Sequence, residues 1–253
     1  MKRLTAFFYG LACYTVFFIT FLYAIGWVGD LFLPVTIDSE PLVPTGYALL
    51  VNIALLSLFA VQHSVMARPA FKRWWTQYVP KPVERSTYVL FSSLALVVMF
   101  VFWQPLGGSI WQVENPAGVV ILYGLFGCGW LLVLVATFLI NHFDLFGLRQ
   151  VWLYLQDREY TPLKFRTPGA YRFVRHPLYL GWFFAFWATP VMTAGHLFFA
   201  LVTAAYILLA IRWEERDLLT VLGEDYAEYR RCVPMLIPGL RKGSRAREAA
   251  LQG

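Results

Sequence analysis

The apolar positions of this chain fall in long unbroken blocks. Bilayer hydrocarbon is about 30 Å thick, so a crossing helix needs roughly 20 mostly apolar residues. Four blocks reach that length, at about 5–29, 46–66, 87–104 and 118–141. A fifth, at about 179–211, exceeds one span and is interrupted by Thr189-Pro190 and Gly195-His196. It is expected to fold as two helices joined by a tight turn, either a full hairpin or a partly buried one. Strands of a membrane barrel would alternate apolar and polar residues over about ten positions, whereas these blocks are apolar all round. The predicted fold class is all-α: a polytopic membrane helix bundle of four spans plus a C-terminal helical hairpin.

Composition agrees. Of 253 residues, 59% are hydrophobic and only 14% charged, against about a quarter charged in a soluble domain. Lys2-Arg3 precede the first block, which is too long for the apolar region of a signal peptide and lacks a small-residue cleavage site. A retained first span is expected. Cys13 and Cys128 fall inside blocks and Cys232 in the basic C-terminal segment. Three such residues make no disulfide framework, and no C-x-x-C pair points to zinc. No metal is expected, and no internal repeat is evident.

Charge sets the orientation, because short cytoplasmic loops carry the excess of Lys and Arg. All 21 basic residues lie in the N-terminus, in 67–86, in 142–178 and in the segment from 212 onward. The intervening loops, 30–45 and 105–117, carry only Asp30, Asp38, Glu40 and Glu114. Both termini of this multi-pass protein are therefore expected on the cytoplasmic side of its membrane. The net charge of +6 is that topology signal plus attraction to anionic lipid headgroups, and nucleic acid is not an expected partner.

Candidate chemistry accordingly collects on the cytoplasmic side. Segment 142–178 is too long for a plain connection and carries Trp152, Tyr154, Tyr160, Phe165 and Tyr171. A cytoplasmic cap, packed with the C-terminal segment over the helix ends, is expected.

Three stretches stand out. Asn141 to Gln150 places His142, Asp144 and Arg149 at the membrane boundary, where polar groups are costly. They serve either chemistry or helix capping. Tyr171 to Trp182 holds Arg175-His176-Pro177-Leu178-Tyr179-Leu180-Gly181-Trp182. There Pro177 disfavours helix at His176 and suits the first turn that follows, leaving His176 beside free helix-terminal amides. The alternative is a helix start with an interfacial aromatic belt. The third stretch, Arg212 to Asp217, contains Glu214-Glu215 and is followed by Tyr226 and Tyr229. Paired carboxylates suit an ammonium or ribose hydroxyls, and the tyrosines suit a flat ring; a solvated helix face is the other reading.

The second and third stretches together resemble the isoprenylcysteine carboxyl methyltransferase family. The pattern is Arg175-His176-Pro177-x-Tyr179-x-Gly181-Trp182, about 30 apolar residues, Glu214-Glu215, Gly223-x-x-Tyr226-x-x-Tyr229, then Val233-Pro234 and Ile237-Pro238. The resemblance implies an S-adenosylmethionine pocket at the cytosolic face within residues 170–240. Arg175, His176, Pro177, Tyr179, Gly181, Glu214 and Glu215 would line it, and Tyr226, Tyr229 and Arg230 would help close it.

Beyond that region the chain is similar to a bacterial branch, the methanethiol S-methyltransferases, and to the NnrU membrane proteins. Gln62-His63-Ser64-x-Met66-Ala67-Arg68, Phe71-Lys72, Trp74, Glu84-Arg85-Ser86-x-Tyr88 and Asn141 to Gln150 carry this likeness. It implies a single methyltransferase domain over 1–240, with 241–253 a flexible basic tail. The implied reaction is methylation of methanethiol, a small volatile thiol, to dimethyl sulfide. A thiolate is the useful nucleophile, so a base is expected: His142, assisted by Asp144, or else His63, with Arg149 as a stabilising charge. Phe143 and Phe146 are expected to shield the small substrate. Another thiol, a prenylcysteine or a lipid are alternative acceptors. Haem or quinone binding through His63 and His142, or a non-catalytic NnrU-like role, stand as other classes.

Overall fold

In the computed structural model the described residues are 2–163 and 165–239; the tail expected at 241–253 lies outside them. Five helices are long and apolar enough to cross a membrane: α1 (Arg3–Gly29), α2 (Thr45–Ala67), α4 (Lys81–Phe102), α5 (Pro116–Ile140) and α9 (Ala194–Leu222). Short helices α3 (Pro69–Trp75), α6 (His142–Leu145), α7 (Leu148–Leu155) and α10 (Glu224–Cys232) join them, together with α8 (Pro177–Trp187).

Local chemistry sets the helix ends. Asn115 accepts the amides of Ala117 and Gly118 at the start of α5, with Pro116 in its first turn. Proline pre-sets the helical φ where no amide partner exists, and it does the same at the start of α4 and α8. That is why α4 begins at Lys81 rather than 87: its first turn runs out of the apolar block and carries Glu84 and Arg85.

The expected hairpin is asymmetric. Its first arm, α8, has 11 residues, about 16 Å at 1.5 Å per residue, or half a bilayer. The chain then unwinds through Thr189-Pro190, and β2 (Val191–Thr193) pairs antiparallel with β1 (Ser109–Gln112) from the loop between α4 and α5. These two strands are a feature the apolar blocks conceal. Gly195-His196, expected as a break, instead lie in the first turn of α9, where Thr193 accepts the His196 amide at 3.1 Å. Tertiary partners override the local signal. His196 is buried between Asp38 Oδ2 at 2.8 Å and the Phe186 carbonyl at 3.0 Å.

The apolar core lies toward this Asp38–His196 end, where Trp27, Phe100, Trp103, Trp130 and Phe199 pack together. α8 lies along α5, α1 packs against α4 and α7, and α2 packs against α4. Every described Lys and Arg sits at the opposite end, on or beside α3, α6, α7, α10 and the adjoining ends of the long helices.

Candidate active site

At the basic end, the residues expected to line a donor pocket form one buried polar knot. Arg175 is 7% and Glu215 9% exposed, and Arg175 Nε donates to Glu215 Oε1 at 2.7 Å. The same guanidinium donates to the carbonyls of Arg230 at 3.0 Å and Val233 at 2.5 Å. His176, preceding α8, places Nε2 3.1 Å from Glu215 Oε1. The amides of Arg175 and His176 donate to the carbonyls of Pro234 and Met235. Residues 233–235 are thereby laced over the start of α8, as the capping expectation requires.

The two glutamates divide their roles because neighbours on a helix diverge by about 100°. Glu215 is locked in the knot. The Glu214 side chain is 46% exposed, with Oε2 3.9 Å from His176 Nδ1, and it reaches Tyr179 on α8.

The tyrosines of α10 close the other side. Tyr229 donates to the Tyr171 carbonyl at 2.7 Å, and Phe165 from the long loop packs on both Tyr226 and Tyr229. Tyr226 is 1% exposed, yet its hydroxyl has no hydrogen-bond partner among the described residues. Burial pushes both tyrosines' ionisation up, so they stay neutral donors. Arg230 Nη1 lies 3.9 Å from Glu215 Oε2. Pro177 opens α8 in the same knot. Gly181 does not join it: a Cβ there would point into α5, 2.8 Å from the Gly129 carbonyl.

The stretch expected to supply a base is arranged differently. His142 is 3% exposed, stacked on Phe138 at 4.2 Å, with burial lowering its pKa. Thr137 Oγ1 spends its proton on the Leu134 carbonyl, so it accepts from His142 Nδ1–H at 2.8 Å. Nε2 then accepts from the Tyr14 hydroxyl at 2.8 Å. Asp144, expected to assist His142, instead accepts from Arg149 at 2.8 Å and from Tyr160 at 3.3 Å. No hydrogen bond joins it to His142 among the described residues, because residues two apart on a helix do not face each other. Arg149 is turned outward onto Thr161 as well.

His63 lies on α2, with Nδ1 3.2 Å from Ser92 Oγ and Nε2 3.0 Å from the Tyr88 hydroxyl, both on α4. The next residue, Ser64, meets the Tyr206 hydroxyl of α9 at 2.9 Å. Phe146 stacks on Phe17 at 3.9 Å and packs against Met66 and Tyr88. Phe143 is 51% exposed and packs edge-on against Phe138 and His142.

Sequence reasoning missed Tyr14, Thr137, Ser92 and Tyr206, which read only as polar interruptions of apolar blocks. Among the described residues no group of three or more His, Cys, Asp or Glu could hold a metal ion.

The chain is 57% identical over 244 residues to the methanethiol S-methyltransferase of Crocosphaera subtropica, covering 96% of each chain. It is 54% identical over 238 residues to that of Mycobacterium tuberculosis, covering 94% of this chain and 98% of the other. Nurim of Xenopus laevis is 31% identical over 176 residues, covering 66% of this chain and 61% of that protein. No family model matches, and no solved structure matches.

Proposed function

This chain belongs to the methanethiol S-methyltransferase family, and from that membership we propose that it methylates methanethiol to dimethyl sulfide with S-adenosylmethionine as donor. On this reading the reaction runs at the cytoplasmic face of a bacterial inner membrane, supported by the basic loops and the polar knot sharing one end of the bundle.

The observation that carries the donor assignment is the Arg175–His176–Glu215 knot with two groups beside it: the half-open Glu214 carboxylate and the Tyr226 hydroxyl, which has no partner among the described residues. Leaving a buried donor unpaired costs about 1–3 kcal/mol, so a ligand that accepts from Tyr226 recovers that cost. The group fits. A sulfonium is a cation that tyrosine faces and a carboxylate accommodate, and Phe165, Tyr226 and Tyr229 offer rings for adenine. Bound S-adenosylmethionine supplies an electrophilic methyl group on sulfur. The protein's part is to hold that group, exclude water and dispose of the thiol proton.

Methanethiol has two heavy atoms, and ligand efficiency caps what so small a molecule gains from contacts. A close apolar wall is needed, and Phe146 with Phe17, Met66 and Tyr88 provides one at the membrane boundary. His142 and His63 are the imidazoles beside that wall.

The test is methyl transfer from labelled S-adenosylmethionine by the purified protein, with methanethiol, a prenylthiol and lipid supplied in turn and the volatile product identified by gas chromatography. Dimethyl sulfide is expected. Label transferred only to a prenylthiol or lipid would overturn the acceptor, and no saturable binding of S-adenosylhomocysteine would overturn the donor.

A further inference from the structure

The two boundary histidines are wired alike, and the likeness shows what each could do. Ser92 Oγ donates to the Tyr88 carbonyl at 3.0 Å, so it accepts from His63 Nδ1–H, as Thr137 does from His142. In both cases Nε2 is left as the proton acceptor: His142 turns it to the Tyr14 hydroxyl at 2.8 Å, and the Tyr88 hydroxyl lies edge-on to His63, 3.0 Å from Nε2 and 3.1 Å from Nδ1. Each would receive a proton through its tyrosine.

The surroundings of the two tyrosines differ. Tyr14 sits on α1 among Phe17, Phe18 and Phe146. Tyr88 is within electrostatic reach of Tyr206 on α9, and Tyr179 on α8 feels both Tyr88 and Tyr206 while meeting Glu214. Tyr179 packs 5.6 Å from His176 of the knot and Tyr206 meets Ser64, the neighbour of His63, at 2.9 Å, so polar groups are spaced between the knot and His63 at a depth where they are costly. The Arg85 guanidinium stands 5.0 Å over the Tyr88 ring, its Nε fixed on the Leu145 carbonyl at 2.7 Å. It is placed to favour negative charge on the phenolic oxygen as a proton changes hands.

Resting on the reading given above, we propose that the acceptor thiol binds against the Tyr88 hydroxyl and that Tyr88 relays its proton to His63. The S–H bond breaks toward Tyr88 Oη while the Tyr88 O–H bond breaks toward His63 Nε2. The freed sulfur pair forms the bond to the donor's methyl carbon, and the pair of the departing C–S bond returns to the sulfonium sulfur. His63 then loses its proton to water. The groups able to influence this titration are Arg85 and Glu84 on α4, Tyr206 on α9 and Tyr179 on α8.

The experiment compares wild type, Tyr88→Phe, His63→Gln and Tyr14→Phe for methanethiol turnover against pH, with S-adenosylhomocysteine affinity measured in parallel. Tyr88→Phe and His63→Gln are expected to lose about 100-fold or more at neutral pH, the scale of a positioned base, with product affinity within twofold of wild type. That loss is expected to shrink about tenfold per pH unit as the thiol ionises unaided. A merely structural role would give a deficit that does not recover with pH, and that result overturns the proposal. So does a pH-recovering loss in Tyr14→Phe with Tyr88→Phe unimpaired. Wild-type protein that makes no dimethyl sulfide overturns the functional reading and this relay together. Active wild type with an unimpaired Tyr88→Phe overturns the relay alone.

Discussion

Gly129 and Gly181 meet backbone to backbone: a Cβ on Gly181 would lie 2.8 Å from the Gly129 carbonyl oxygen, and one on Gly129 would lie 2.8 Å from that of Gly181. This contact lets α8 lie directly along α5 and sets the height at which His176 enters the donor knot. Small residues are how helices in lipid approach this closely. Gly181→Ala is expected to cost about 1–3 kcal/mol as overpacking, and to weaken donor binding by shifting α8. Gly124→Ala, on α5 with Gly129 but with open space where its Cβ would go, should be silent. Thermal denaturation in detergent of both variants checks this.

Breaking the Arg175–Glu215 pair leaves a buried charge without its partner, a loss of about 3–5 kcal/mol. Glu215→Ala should therefore unfold earlier and bind S-adenosylhomocysteine poorly, with methanethiol saturation altered only afterwards. Calorimetry that found full product affinity in a folded Glu215→Ala would remove this knot from the donor site.

Tyr226→Phe separates binding from stability in the opposite sense. The hydroxyl has no partner among the described residues, so its removal should leave the melting temperature unchanged or raise it. If the hydroxyl bonds the donor, affinity falls by the worth of one hydrogen bond, about 0.5–1.5 kcal/mol, or roughly threefold to tenfold. A variant that is less stable yet binds normally would contradict both halves.

His142 makes stability depend on pH. Burial lowers its pKa in the folded chain, while an unfolded histidine titrates near 6.5. Below that value the unfolded state binds the extra proton and the folded state does not, so stability falls as pH drops from about 6.5 toward the depressed value. His142→Gln should flatten the melting temperature between pH 7 and pH 5.5 relative to wild type. Parallel curves for the two proteins would show that His142 does not set this slope.

How much of this was legible depended on range. The helix bundle and the basic end were readable because apolar block length and loop charge act locally. That Arg175, His176 and Glu215 come together was readable in outline, since Arg175-His176-Pro177 and Glu214-Glu215 each sit in a recognisable stretch. Which glutamate is buried was not, because that depends on how far α9 is rotated when α8 and residues 233–235 close on it. Asp144 looked like a partner for His142 and turned to Arg149, while Tyr14 and Thr137 took its place from positions that carry no signal of their own. The strand pair was hidden too. Ser109–Gln112 and Val191–Thr193 make one ladder, but each is too short to show a period.

The lacing of residues 175 and 176 to residues 234 and 235 keeps the groups proposed to hold the donor within one contiguous stretch of polypeptide. The walls about His63 and Phe146 are drawn from α1, α2, α4 and α6 instead. On this plan the accepted molecule can drift in evolution through changes to the earlier helices while the alkylating half is left untouched. The architecture is thus suited to descendants that share a methyl source and differ in what receives it.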